Sequence, residues 1–215
     1  MATDIDLYRR IIKLPAPQRG QPPISLNVID AGPRDALRTI VCIHGFGGRA
    51  AHWRYQVEYF ADEYRVIVPD LPGHGLSDAP HGRYTIEELA DYVARALAAL
   101  GAPRQFILLA HSFGGAVATY FMRVHPGRVE KLVLIASPVH FKLRLTWRLA
   151  LRLPEPVLRA GRRLIPFLRK YPPAHVVSTW NRNALVGWDG TKDYQRVDVP
   201  TLVILGQRDI IFRPE

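Results

Sequence analysis

At 215 residues the chain is long enough for one domain that buries roughly 70% of its unfolded surface, which excludes a short peptide module. Its 48% hydrophobic and 22% charged residues are ordinary globular composition, one cysteine (Cys42) excludes an internal disulfide framework, and the absence of CxxC, HExxH or HxxxH spacings means no metal ligands are assigned. Of the net charge of +10, +8 falls between His140 and Pro173, and with no motif that reads RNA or DNA beside it, nucleic acid is excluded as a partner.

Met1 to Arg10 carries Asp4 and Asp6 and no apolar stretch, so it is not a secretory signal. Arg10 to Leu14 and Ile24 to Ala31 predict an antiparallel opening pair linked by the turn-rich Pro15 to Pro23. Thr39 to Ile43 and Arg65 to Pro69 predict buried strands. Thr85 to Leu100 predicts a helix, with Thr85 as cap, Glu88 three residues on and Gly101 as the stop. Gln105 to Ala110 is the next buried strand, Gly114 to His125 the helix after it, and Lys131 to Ala136 and Thr201 to Leu205 two further buried strands. Strands alternating with helices predict an α/β fold, a mostly parallel sheet covered on both faces. The apolar runs are far shorter than the roughly 20 residues of a membrane span, so the chain is expected to be soluble and cytoplasmic.

The interval Ser137 to Pro200 is 64 residues long, too long for a plain crossover. The expected division is therefore a core over 1–136, an inserted, mainly helical basic cap or lid over 137–199, and the core continued over 200–215. Phe141 to Leu153 alternates apolar with mostly basic residues at period two, a strand signal, whereas Val157 to Leu168 recurs with helical spacing.

Ile107-Leu-Leu-Ala-His-Ser-Phe-Gly-Gly-Ala116 runs from a strand through Ser112 into a helix. A nucleophilic serine there needs a sharp turn, and small residues two before and two after it (Ala110, Gly114) let the strand and helix backbones pass close by. The structural alternative is a serine capping a helix at a tight, glycine-rich join. Val41-Cys-Ile-His-Gly-Phe-Gly-Gly48 ends the first buried strand in a loop whose amides suit an oxyanion, with the N–H groups of Phe46 and Phe113 as donors. A rival reading is a dinucleotide fingerprint, since Gly45-Phe-Gly-Gly-Arg-Ala50 fits G-x-G-x-x-A and Asp70 follows 20 residues later. That reading implies an oxidoreductase, but gives no use for the serine turn.

In this order, His44-Gly-Phe-Gly-Gly48, Asp70-Leu-Pro-Gly-His-Gly-Leu-Ser-Asp78, His111-Ser-Phe-Gly-Gly115 and Pro200-Thr-Leu-Val-Ile-Leu-Gly-Gln-Arg-Asp209 resemble the α/β-hydrolase superfamily, from about Arg10 to the last residue with the cap unmatched. The resemblance implies a serine hydrolase, esterase- or lipase-like, with Ser112 as nucleophile, Phe46 and Phe113 as oxyanion hole and Asp209 as the acid of a triad. It also implies supporting loops at His44, Gly45, Gly47, His111 and Gly114, and needs no cofactor. Serine rather than aspartate at the turn disfavours epoxide hydrolysis and dehalogenation. The implied substrate is a small or medium acyl ester, or a related thioester, amide or carbon–carbon bond.

In that superfamily the histidine base follows the acid, yet no histidine follows His175. The sequence is accordingly expected to be a fragment lacking the last strand, the histidine loop and the closing helix, and to be nearly inactive; the alternative is a noncatalytic relative that binds an apolar ligand or partner. His140 and His175 are the candidate substitute bases. Loss of an outer neighbour is expected to leave Thr201 to Leu205 as an apolar edge prone to self-association. Trp147, Trp180 and Trp188 are expected to line an acyl pocket, and the basic cap either forms a solvated surface or docks on an anionic membrane.

Overall fold

A computed structural model of the chain describes residues 4–15, 23–141, 149–207 and 209. Among these, seven strands form one sheet in the order β1 (Arg9–Leu14), β2 (Ile24–Ala31), β4 (Arg65–Pro69), β3 (Thr39–Ile43), β5 (Phe106–His111), β6 (Val129–Ile135) and β7 (Thr201–Ile204). The β1–β2 and β2–β4 pairs are antiparallel and every later pair is parallel. This is the mostly parallel α/β sheet that the alternating runs predict.

Period two decides the two faces. In β3, Val41 and Ile43 point into the larger core with α2 (Ile86–Ala99) and α3 (Gly114–Val124), while Ile40 and Cys42 point into a smaller core with Trp53 and with Val57 of α1 (Arg54–Phe60). Both faces being covered, β3 and β4 are buried along their whole length. The α2 helix starts where its cap predicts: Thr85 accepts from the Glu88 amide at 3.2 Å, and Glu88 in turn accepts from the Tyr84 amide. It stops at Gly101, whose φ of +59° only glycine adopts freely. Under the sheet, the buried Arg65 guanidinium donates to both oxygens of Asp30, at 2.8 and 3.1 Å, and to the Leu100 and Gly101 carbonyls. Every charge taken out of water there has a partner.

Two expectations are corrected. The α1 helix is absent from the sequence reading, because Val57 is its one buried residue and it shows no apolar stripe. Thr201 to Leu205 is not a buried strand: β7 is exposed throughout, since it pairs with β6 alone and has no strand on its other edge among the described residues. Of the period-two run, Lys142 to Arg148 lies outside the described residues, and 149–151 is a helical turn.

The chain between β6 and β7 contributes α4 (Glu155–Leu164), α5 (Ala174–Trp180) and the single turn α6 (Thr191–Tyr194). Three contacts fasten it above the sheet's carboxyl edge: His175 Nε2 to the Ala79 carbonyl at 3.1 Å, Asn183 Nδ2 to the Arg83 carbonyl at 2.6 Å, and Val176 against Gly73. No helix among the described residues is long and apolar enough to cross a membrane.

Candidate active site

Ser112 joins β5 to α3 with φ of 53°, the left-handed region that a serine occupies only when its surroundings impose it. They do so from three sides. The Ser112 amide donates to the Ile135 carbonyl of β6 at 2.8 Å, its carbonyl accepts from the Gly115 amide at 2.9 Å, and a β-carbon on Gly114 would lie 2.6 Å from the Ile43 carbonyl oxygen. The strand, the turn and the helix therefore close on one another only because residue 114 lacks a side chain. Gly115 is equally confined, by Ser137 and by the Tyr194 hydroxyl of α6, which donates to the Pro138 carbonyl.

The loop after β3 lies against this turn. A β-carbon on Gly45 would lie 2.9 Å from the Ser112 β-carbon, and Gly47, at φ of +69°, packs under the Tyr171 ring. Among the described residues neither the Phe46 amide nor the Phe113 amide is committed to a backbone carbonyl. His44, buried at the loop's start, faces Gly45 O with Nδ1 at 2.8 Å and accepts from the Leu71 amide through Nε2 at 3.0 Å, an arrangement that requires the neutral ring. Burial pushes its pKa down to about 4. The neighbouring His74, with Nδ1 on the Pro72 carbonyl, is pushed down to about 3 by burial and by the His44 ring.

Asp70 knots these loops together. Its carboxylate accepts from the Ala50 and Leu76 amides and from Asn27 Nδ2, and it is 2% exposed. A carboxylate buried this deeply, with three protein donors already on it, is out of reach of a ribose, which removes the physical basis of the dinucleotide alternative.

Asp209 follows β7 and is half-buried; its charge acts on the ring of His111, where it opposes the lowering of the pKa by desolvation. The two candidate substitute bases are engaged elsewhere. His140 pairs with Asp189 at 3.0 Å and lies 3.4 Å from the Thr191 hydroxyl, and His175 lies against Ala79 and the His81 ring. Among the described residues no group of three His, Cys, Asp or Glu could hold a metal ion.

An aromatic layer lies over the turn. Trp180 of α5 stacks on Phe46 at 3.6 Å between centroids and meets Phe113 edge-on at 4.6 Å, and Phe113 continues to Phe141 and Trp188. Of the three tryptophans expected to line an acyl pocket, Trp180 and Trp188 lie in this aromatic layer and Trp147 lies outside the described residues. The roles of Tyr171 and Tyr194 leave no pattern in the sequence, and Asp70 shows only through its place in the Asp70 to Asp78 motif and its spacing from Ala50.

The sequence model described as the alpha/beta hydrolase fold matches residues 38–160. Over 109 residues the chain is 38% identical to a pimeloyl-[acyl-carrier protein] methyl ester esterase of Vibrio parahaemolyticus serotype O3:K6, a stretch covering 51% of this chain and 40% of that protein. Over 142 residues it is 31% identical to a cis-3-alkyl-4-alkyloxetan-2-one decarboxylase of Xanthomonas campestris pv. campestris, covering 61% and 47%. The chain spans less than half the length of these curated relatives. Among solved structures it is similar to a thermophilic esterase from Thermogutta terrifontis, with a TM-score of 0.76 and 26% identity over 95% of this chain and 83% of that one. With more than half of its residues inside the family model, the chain belongs to the alpha/beta hydrolase fold family.

Proposed function

We propose that the protein is a serine hydrolase that cleaves a carboxylic ester, or a related thioester, amide or carbon–carbon bond, through an acyl-enzyme on Ser112. The carrying observation is the left-handed backbone of Ser112, imposed by the glycines at 45 and 114 beside a loop with an uncommitted amide at Phe46. Ser112 Oγ attacks the acyl carbon while a base takes its proton. The Phe46 and Phe113 amides receive the oxyanion; the leaving group departs with the proton, and water releases the acyl group by the same route in reverse. Asp209 orients the base.

The base is an imidazole, and these 215 residues contain none after Asp209. Loss of a triad member costs about four to six orders of magnitude and leaves oxyanion stabilisation and binding alone, so the 215-residue chain is nearly inactive. The test is p-nitrophenyl butyrate hydrolysis by this chain and by Ser112→Ala across a series of imidazole concentrations. Imidazole-dependent turnover in excess of the Ser112→Ala variant supports the reading; identical rates at every concentration overturn it. Ordinary turnover without imidazole would overturn the missing-base clause alone. The second reading, a noncatalytic binder of an apolar ligand, is favoured by the aromatic layer over Ser112.

A further inference from the structure

We infer that the cap docks on an anionic lipid bilayer through α4 and the turn that follows it. The first observation is an apolar stripe with nothing among the described residues to bury it. No residue of α4 is buried, although Val157 and Leu164 lie two turns apart on one face with Ala160 between them. Val157 is 49% exposed, Leu164 79%, Ile165 51% and Phe167 59%, a cluster of large side chains on one short segment. The segment is not loose. Arg162 reaches inward to the Leu168, Tyr171 and Pro172 carbonyls, which fixes the turn after α4 to the helix, and Leu168 lies against Gly161.

The second observation is charge of one sign around that stripe. Within 149–173 there are six Arg or Lys and one acid, Glu155, which Arg159 already neutralises. Among the described residues no ion pair holds Arg152, Arg163, Arg169 or Lys170, and all four are exposed. Phosphate headgroups answer these cations, and acyl chains answer the stripe; their long stems let arginine and lysine stay at headgroup level while the apolar face sinks. A nucleic acid answers the charge but gives Val157, Leu164 and Phe167 nothing to bury against.

Docking this face also has a direction. Tyr171, whose carbonyl accepts from Arg162, packs its ring on Gly47 of the loop beside Ser112. The bilayer-facing turn is thus one residue contact from the candidate site, on the same side of the sheet. The inference stands on the cap alone and does not require Ser112 to be catalytic.

The experiment is flotation of the 215-residue chain with vesicles of phosphatidylcholine, with and without phosphatidylglycerol, at low and high sodium chloride. Flotation also separates lipid-bound protein from any aggregate. Expected is binding to the anionic vesicles at low salt, lost at high salt, with each removed cation weakening it about fivefold. Two variants isolate the two observations: Val157→Ser with Leu164→Ser and Phe167→Ser, and Arg163→Glu with Arg169→Glu. All five positions are exposed, so both variants keep the parent's circular dichroism and thermal midpoint, and each loses at least about tenfold in binding. No flotation at low salt overturns the inference. So does flotation of the apolar variant equal to the parent's, which would reduce the cap to a charge-only polyanion surface.

Discussion

The indole of Trp180 lies 13° from parallel with the ring of Phe46, at 3.6 Å between centroids, so a residue of the cap rests on the loop beside Ser112. Trp180 is 1% exposed and fills the space between Phe46 and Phe113. Trp180→Ala is expected to cost about 3–5 kcal/mol, as an emptied aromatic site does, and Trp180→Phe, which keeps a ring on Phe46, clearly less. Urea-denaturation midpoints of the two variants check the ranking; an Ala variant as stable as the parent would show that the cap does not hold the loop.

Backbone closeness at the serine turn gives a sharper expectation. In Gly114→Ala the new β-carbon meets the Ile43 and His44 carbonyl oxygens at 2.6 and 2.9 Å, and neither can swing away as a side chain could. Gly127 has the opposite balance: its φ of +74° penalises a side chain, but nothing lies within 4 Å. Thermal midpoints of Gly114→Ala and Gly127→Ala therefore separate crowding from backbone strain. The first is expected to lose roughly 2–4 kcal/mol and the second about 1.

Acid stability follows from His44 and His74, which burial pushes from 6.5 down to about 4 and about 3. Below pH 6.5 the unfolded chain takes up protons that the folded chain refuses, so stability falls with pH until the folded rings titrate in turn. Between pH 7 and pH 5 the loss is roughly 2 kcal/mol per histidine. His74→Gln lowers stability at both pH values but flattens the difference between them by about half. A slope unchanged by this variant would assign the acid sensitivity to other groups.

β7 carries Leu202, Val203 and Ile204 exposed on a strand that has, among the described residues, one free edge. Such an edge pairs with another chain, and a second copy offers an identical strand. Sedimentation velocity is expected to show association that rises with concentration and falls in Val203→Lys; a monomer at every concentration removes the idea.

How much of this was legible in the sequence depended on whether a signal was local. The α2 boundaries were legible because Thr85, Glu88 and Gly101 act within four residues of the helix ends. The turn at Ser112 was legible because it needs small residues at fixed offsets, Ala110 and Gly114; Gly114 packs on the Ile43 and His44 carbonyls, and Gly45, implied by the resemblance, packs on the Ser112 β-carbon. The α1 helix left no trace, since Val57 is its one fully buried residue. Asp70 misled, since its partners Asn27, Ala50 and Leu76 are scattered along the chain and its spacing imitated a ribose ligand. Tyr171 and Tyr194 act across 124 and 79 residues of separation from Gly47 and Gly115, and no local pattern announces a contact of that range.

The constraints on residue 112 come from main-chain atoms and from absent side chains: the Ile135 carbonyl, the Gly115 amide, and the bare α-carbons at 45 and 114. None of them touches the hydroxyl. The scaffold thus presents a position rather than a chemistry, and cysteine or aspartate at 112 would stand in the same place with the same backbone. What the fold invests in is an address for one side chain, so replacing the atom presented there is a one-residue change, whereas moving it by one residue would undo the sheet edge, the loop and the helix together.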